Sequence, residues 1–315
     1  FNKMLNLNYL LKIYRYTAFI NVIMFFVQNI VFELFGYRIV GILTFLPITN
    51  IGGSEFDVME WSENAQIVER SSGFFSEPAH FVQFLFPLLV LELFYVSTKK
   101  SYIRSLIYVF VLLMLSSGNA LVGLIVVVIF FMAYILKRIR PVLAVIIISL
   151  FSLFLFSSFH YFLNTEFGEK LLERQTEMSG EVDNTSGFIR IFRGYYVWDS
   201  MNTSEKIFGL NSTYRIDETI KKSYVAFMFG ENERYFNSFQ NIIIQTGLIG
   251  LILFGLFIVE LWRYNNLAGR CCVTIYIALS LIASIYFSYT MLLYFIVASL
   301  LQKENSKNNA YKSLL

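Results

Sequence analysis

From Ser105 to Leu136, 32 consecutive residues carry no charged side chain; Lys99, Lys100 and Arg104 precede the run, and Lys137, Arg138 and Arg140 follow it. A helix needs about 20 apolar residues to cross a hydrocarbon layer roughly 30 Å thick. The run is too long for one crossing. Basic clusters favour the cytoplasmic side, so a run with such clusters at both ends has to go out and return. The interruption Ser116-Ser117-Gly118-Asn119 is the natural place for the turn.

Further apolar runs cover Ala18–Phe35, Ala79–Val96, Pro141–Phe162, Phe239–Trp262 and Cys271–Leu301. The last is again long enough for two crossings, with a turn expected near Ser288. The residues are 57% hydrophobic and 15% charged, against about 25% charged in a soluble domain, so lipid is the expected solvent. The fold class expected is an all-α polytopic membrane bundle of about eight spans in a single integral membrane domain, 1–315. Both ends of the chain are then cytoplasmic, with a first outer loop at 36–78 and a large, partly helical one at 163–236.

Charge supports this topology. The segments placed inside hold 14 of the 25 basic residues, whereas the two outer loops hold 18 of the 22 acidic ones. Within the large loop Glu166–Met178 has Phe167, Leu171 and Leu172 at helical spacing and reads as a short amphipathic helix. The tail after Gln302, rich in Lys, Asn and Ser, reads as disordered. Gly247, Gly250 and Gly255 read as sites of close helix packing. The chain opens on Phe1 with no signal-peptide pattern, and further helices are expected upstream.

Several chemistries are excluded by pattern. There is no P-loop, no G-x-G-x-x-G, no H-E-x-x-H and no D-x-D. The short inner connections leave no room for a nucleotide-binding domain. Neither a cofactor nor a metal is expected. The net charge of +3 gives no reason to expect nucleic acid, and the adjacent Cys271 and Cys272 open an apolar run rather than a polar cluster. An enzyme of this layout needs a substrate that arrives already activated and anchored in the membrane.

Three polar constellations are candidates for such chemistry. Arg70-Ser71-Ser72-Gly73-Phe74-Phe75-Ser76-Glu77-Pro78-Ala79-His80 sets a guanidinium, a carboxylate and an imidazole at a membrane surface, where ionisable groups are functional by default. The bland alternative is an interfacial anchor, with Glu77 capping a helix that begins near Pro78. Arg190 and Arg193 lie in the large loop among Phe, Ile and Tyr; arginine suits bidentate capture of phosphate, and pairing with Asp199 is the alternative. Arg234 precedes Asn237, Gln240 and Asn241, which fall at i, i+3 and i+4 and form a polar stripe with either a structural or a substrate role. Gln28, Asn29 and Glu33 on the first span are cavity lining or buried contacts. Asn119 is read as turn chemistry and His160 as interfacial.

RSSGFFSEPAH at 70–80 resembles the R-x-x-G-F-x-x-E-P motif of O-antigen and exopolysaccharide polymerases of the Wzy type, relatives of the O-antigen ligases. LLMLSSGNALVGLIVVVI resembles the helix break of the following span pair. RIFRGYYVWDSMNTSEKIFGLN resembles the arginine-to-glycine stretch of the family's outer loop, and NSFQNIIIQTGLIGLILF the helix that closes it. The resemblance implies a membrane glycosyltransferase that joins oligosaccharide repeat units carried on undecaprenyl diphosphate into O-antigen, capsule or exopolysaccharide. It implies a bacterial cytoplasmic membrane, a chain-length regulator and a flippase as partners, and no nucleic acid. Glu77 and His80 become the catalytic base candidates, and Arg70, Arg190, Arg193, Arg234 and Asn237 the substrate-binding ones. Phe236 stands where the ligases often have histidine, Asn119 where arginine is common, and an Arg-x10-Gly spacing is absent. Alternatives are a ligase and a transporter or flippase of the same lipid-linked sugars; the bare inner face and uncharged midplanes weigh against transport.

Overall fold

The computed structural model describes residues 6–36, 39, 71–75, 77–115, 117–137, 186–223 and 236–313. Among these every regular element is helical: α1 Leu7–Phe35, α2 Pro78–Val90 with a π-helical turn Leu91–Val96, α3 Lys99–Met114, α4 Gly118–Leu136, α5 Ser186–Asp199, α6 Thr203–Phe208, α7 Thr213–Lys222, α8 Ser238–Arg263, α9 Leu267–Ser280 and α10 Tyr289–Ser313. Four are long and apolar enough to cross a membrane: α1, α2 with its π turn, α4 and α8. The chain breaks between α3 and α4 where Ser116–Asn119 interrupts the apolar run, and again between α9 and α10 across residues 281–288. The count of eight is not reached among the described residues, since α3 has 16 residues, α9 has 14, and about 20 are needed. Pro141–Phe162, Glu166–Met178 and most of the first outer loop lie outside the described residues.

Two compact units make up the chain. The first comprises Phe1–Val127, Tyr264–Ile275 and Leu292–Leu315; the second comprises Val128–Arg263 and Tyr276–Met291.

In the first unit α1 starts at Asn6, whose side chain accepts the Asn8 N–H at 2.9 Å, and ends at Gly36 in the left-handed region (φ 64°). Its buried residues Leu7, Leu11, Tyr14, Ala18, Val22, Phe25 and Gln28 recur every three or four positions, so one seam faces protein. The remaining faces expose Phe19, Ile20, Ile23, Ile30 and Leu34. That apolar surface is costly in water and neutral in lipid.

Helix α2 is the centre of this unit: Phe81, Val82, Leu85, Phe86, Leu88, Leu89 and Val90 are wholly buried. Pro78 at its first turn fits a position where no N–H is needed. Pro87 lies inside the helix and removes one ladder bond; one turn earlier, the Phe84 carbonyl accepts the Tyr14 hydroxyl from α1. A Cβ at Gly123 would overlap the Phe86 ring, so glycine sets how closely α4 approaches α2. Asn265 ties the start of α9 to α10 by donating to the Ala298 carbonyl at 2.7 Å.

In the second unit α5, α6 and α7 pack over the first half of α8 around Val197, Met201, Leu210, Ile216, Ile220, Phe236 and Ile244. The described part of 163–236 therefore packs an apolar core with the start of α8. Helix α8 is broken at Gly247 (φ 68°, ψ −170°), a conformation essentially confined to glycine. The carbonyls of Ile244 and Gln245 turn outward and accept the N–H groups of Leu210 at 2.9 Å and Asn211 at 3.2 Å.

Two readings of the sequence are corrected here. Close packing holds at Gly247, where α8 kinks and a Cβ would meet the backbone of Ile207 and Gly209, but not at Gly250, where a Cβ would first meet Thr246 of its own helix, nor at Gly255, which faces open space. Helix α10 runs on to Ser313, so the polar tail is helical rather than disordered; Lys303, Glu304, Lys307 and Ala310 are good helix formers that extend a helix already nucleated by its apolar part.

Candidate functional site

The segment leading into α2 is held by α1. Gln28 is buried; its Oε1 accepts the N–H of Ser72 at 3.2 Å and of Gly73 at 2.8 Å, while its Nε2 donates to the carbonyls of Gly73 at 2.9 Å and Ile39 at 3.0 Å. Two turns earlier Asn21 Oδ1 accepts the Phe74 N–H at 3.3 Å. Gly73 has φ +66°, and a Cβ there would press on the Asn21 carbonyl. Ser72 closes the turn by donating from Oγ to the Phe75 carbonyl at 2.6 Å. Of the two readings for Gln28 on the first span, the buried contact is the one observed.

This clasp leads to Glu77 and His80, both exposed. Glu77 is extended (φ −137°, ψ 151°) and occupies the N-cap of α2, but its side chain makes no capping bond; only its carbonyl serves the helix, accepting the His80 N–H at 3.1 Å. The carboxylate is thus not used as a cap, which was the bland reading. Arg70 lies outside the described residues.

In the second unit Arg190 and Arg193 both lie on α5, one turn apart. Arg193 is completely buried, with its guanidinium carbon 5.9 Å from the centre of the Phe236 ring. A Cβ at the adjacent Gly194 would overlap the Gln240 side chain, so α5 and α8 meet backbone to side chain here. Asn237 caps α8: its Oδ1 accepts the Gln240 N–H at 2.9 Å, and Gln240 Oε1 accepts the Asn237 N–H at 3.2 Å, a reciprocal capping box. Asn237 Nδ2 also donates to the Leu281 carbonyl at 3.0 Å, Ser238 Oγ to the Ala283 carbonyl at 2.9 Å, and Asn241 Nδ2 to Ser284 Oγ at 3.1 Å. The polar stripe holds the 281–288 connection against the start of α8. Arg234 lies outside the described residues.

Glu77 and His80 belong to the first unit, and Arg190, Arg193 and Asn237 to the second. No family model matches the chain, and no curated protein or solved structure matches it. The family resemblance rests on the four sequence motifs themselves.

A further polar centre was not anticipated from the sequence. Glu92, in the π turn after α2, has no exposure and is clasped by two arginines. Arg15 of α1 donates from Nε to Oε1 at 2.5 Å and from Nη2 to Oε2 at 3.1 Å; Arg104 of α3 donates from Nε to Oε1 at 3.1 Å and from Nη2 to Oε2 at 2.8 Å. A buried carboxylate requires such partners. The signal was present: a lone acid within Pro-Leu-Leu-Val-Leu-Glu-Leu-Phe demands a cation from a neighbouring helix.

Proposed function

We propose that the chain is a membrane glycosyltransferase that polymerises lipid-diphosphate-linked oligosaccharide repeat units on the outer face of a bacterial cytoplasmic membrane. The observation that carries the reading is the Glu77–His80 pair, two exposed titratable groups at the first turn of an otherwise buried helix, on a loop fixed by a dedicated side-chain clasp. A segment built only to anchor a helix at the interface has no need of that construction.

In this reading Glu77 or His80 accepts the proton of an acceptor hydroxyl. The freed oxygen attacks the anomeric carbon of the donor sugar, and the bond from that carbon to the diphosphate oxygen breaks. Lipid diphosphate leaves with the bonding electron pair. Its developing charge is matched by Arg190 and Arg193, with Arg70 and Arg234 as further contacts, so the reaction proceeds without a metal ion or nucleotide. Asn237 contributes by holding the start of α8, and through it the Phe236 ring that faces Arg193.

The topology that accompanies this function puts residues 36–78 and 163–236 outside and both ends of the chain inside, as the distribution of basic residues favours. The test is to incubate purified protein with a lipid-linked repeat unit and separate the products by size. Longer chains on the lipid support polymerisation; transfer to a different acceptor identifies a ligase; unchanged substrate that crosses a vesicle membrane identifies a transporter.

A further inference from the structure

Arg15 and Arg104, the two arginines that clasp Glu92, line a cavity of about 560 Å³ between α1 and α3. At its polar end are Lys12, Arg15 and Arg104, and along its wall are Phe19, Ile23 and Ile107. Lys12, Arg15 and Arg104 all line the cavity, and the one carboxylate paired there, Glu92, is shared by the two arginines, so the lining carries more positive charge than Glu92 offsets. Each arginine commits Nε and Nη2 to Glu92, which leaves Nη1 of both guanidiniums outside the clasp. Both side chains keep about a third of their surface exposed, at 30% and 33%. Lys12 is exposed and has no ion pair among the described residues.

The shape of the cavity is as specific as its charge. On α1 the lining runs from Lys12 to Phe26, 14 residues or roughly 21 Å of helix at ~1.5 Å per residue, against about 15 Å for one leaflet of the hydrocarbon layer. Its basic end lies near the first turns of α1 and α3, the latter carrying Lys99 and Lys100; its far end reaches Phe26 of α1, whose ring stacks on Phe110 of α3 at 6.3 Å. A cationic head and an apolar, membrane-length wall complement an anion that carries an alkyl chain. The buried carboxylate explains how two guanidiniums are kept side by side despite their mutual repulsion.

We infer that this groove is a binding site for an anionic glycerophospholipid: Lys12, Arg15 and Arg104 receive the headgroup phosphate, and one acyl chain lies along Phe19, Ile23 and Ile107. Basic pockets between membrane helices recognise anionic headgroups by this combination. The site uses none of the residues assigned to glycosyl transfer, and it stands whether or not that assignment does.

Native mass spectrometry of the purified full chain in detergent tests it, with phosphatidylglycerol, phosphatidylcholine of the same acyl chains, and glycerol 3-phosphate as the headgroup without a tail. Phosphatidylglycerol is expected to be retained at least about tenfold better than phosphatidylcholine. Lys12→Glu, at an exposed position outside the clasp, and Ile23→Trp, which fills the slot, should each lower retention about fivefold or more with the melting temperature unchanged. Equal retention of the two lipids overturns the site, as does undiminished retention by both variants. Displacement of phosphatidylglycerol by an equal concentration of glycerol 3-phosphate overturns the lipid assignment and leaves a simple anion site.

Discussion

Gln28 grips one residue from both sides: its amide oxygen accepts the Gly73 N–H at 2.8 Å and its amide nitrogen donates to the Gly73 carbonyl at 2.9 Å. A helix of the bundle thus reads the backbone of a loop, and the loop presents Glu77 and His80. Gln28→Ala strands buried N–H groups of Ser72 and Gly73, at about 1–3 kcal/mol for each unsatisfied group. We expect this variant to retain the membrane bundle but lose polymer yield. Thermal melting in detergent beside product assay checks it; full polymer yield would separate the clasp from function.

The buried carboxylate makes a different, non-additive expectation. Arg15→Gln alone leaves Glu92 with both bonds from Arg104, and the reverse holds for Arg104→Gln. Each single change should cost little. The double variant strands the charge and should cost about 3–5 kcal/mol, well beyond the sum of the singles. A double-mutant cycle on detergent melting curves measures this; additivity would mean that the carboxylate finds another partner.

Gly247 is expected to be indispensable to the second unit. Its φ and ψ suit only glycine, and a Cβ would collide with the Ile207 carbonyl. Gly247→Ala should therefore cost more than about 2 kcal/mol and release α6 from α8. Faster limited proteolysis between residues 200 and 212 is the expected readout, with Gly255→Ala, which faces open space, as the silent control.

Much of the fold was legible because membrane helices announce themselves by length and apolarity. The break at Ser116–Asn119 and the run into α8 required nothing more. The seam of α1 was equally legible in its three- and four-residue spacing, but Gln28 was not, because its partners are backbone groups 44 and 45 residues away that no side-chain pattern encodes. Glu92 is legible only through its apolar neighbours, which require a cation on another helix but do not say which one. Gly247 serves both close packing and a strained backbone, and the kink is not encoded in the apolar pattern because it depends on the pairing of Leu210 and Asn211 with α8. For the candidate site, the polar stripe of Asn237, Gln240 and Asn241 was correctly seen as a unit; that it faces the 281–288 connection depended on tertiary contacts.

The proposed base makes the sharpest functional expectation. Glu77 is exposed and its side chain makes no capping bond, so Glu77→Gln should leave stability nearly unchanged; a melting curve of each variant separates loss of fold from loss of chemistry. His80→Ala and Glu77→Gln should each reduce polymer formation by at least about tenfold, in line with general base catalysis. A stable variant with wild-type yield would remove that residue from the mechanism.

The most direct measurement is chain extension by the purified protein alone, supplied with a lipid-diphosphate-linked repeat unit in the presence of EDTA and without nucleotide. Glycosyl transfer driven by a preactivated donor and arginine-stabilised diphosphate gives a ladder of longer lipid-linked chains under these conditions. Substrate recovered unextended from folded protein would contradict it.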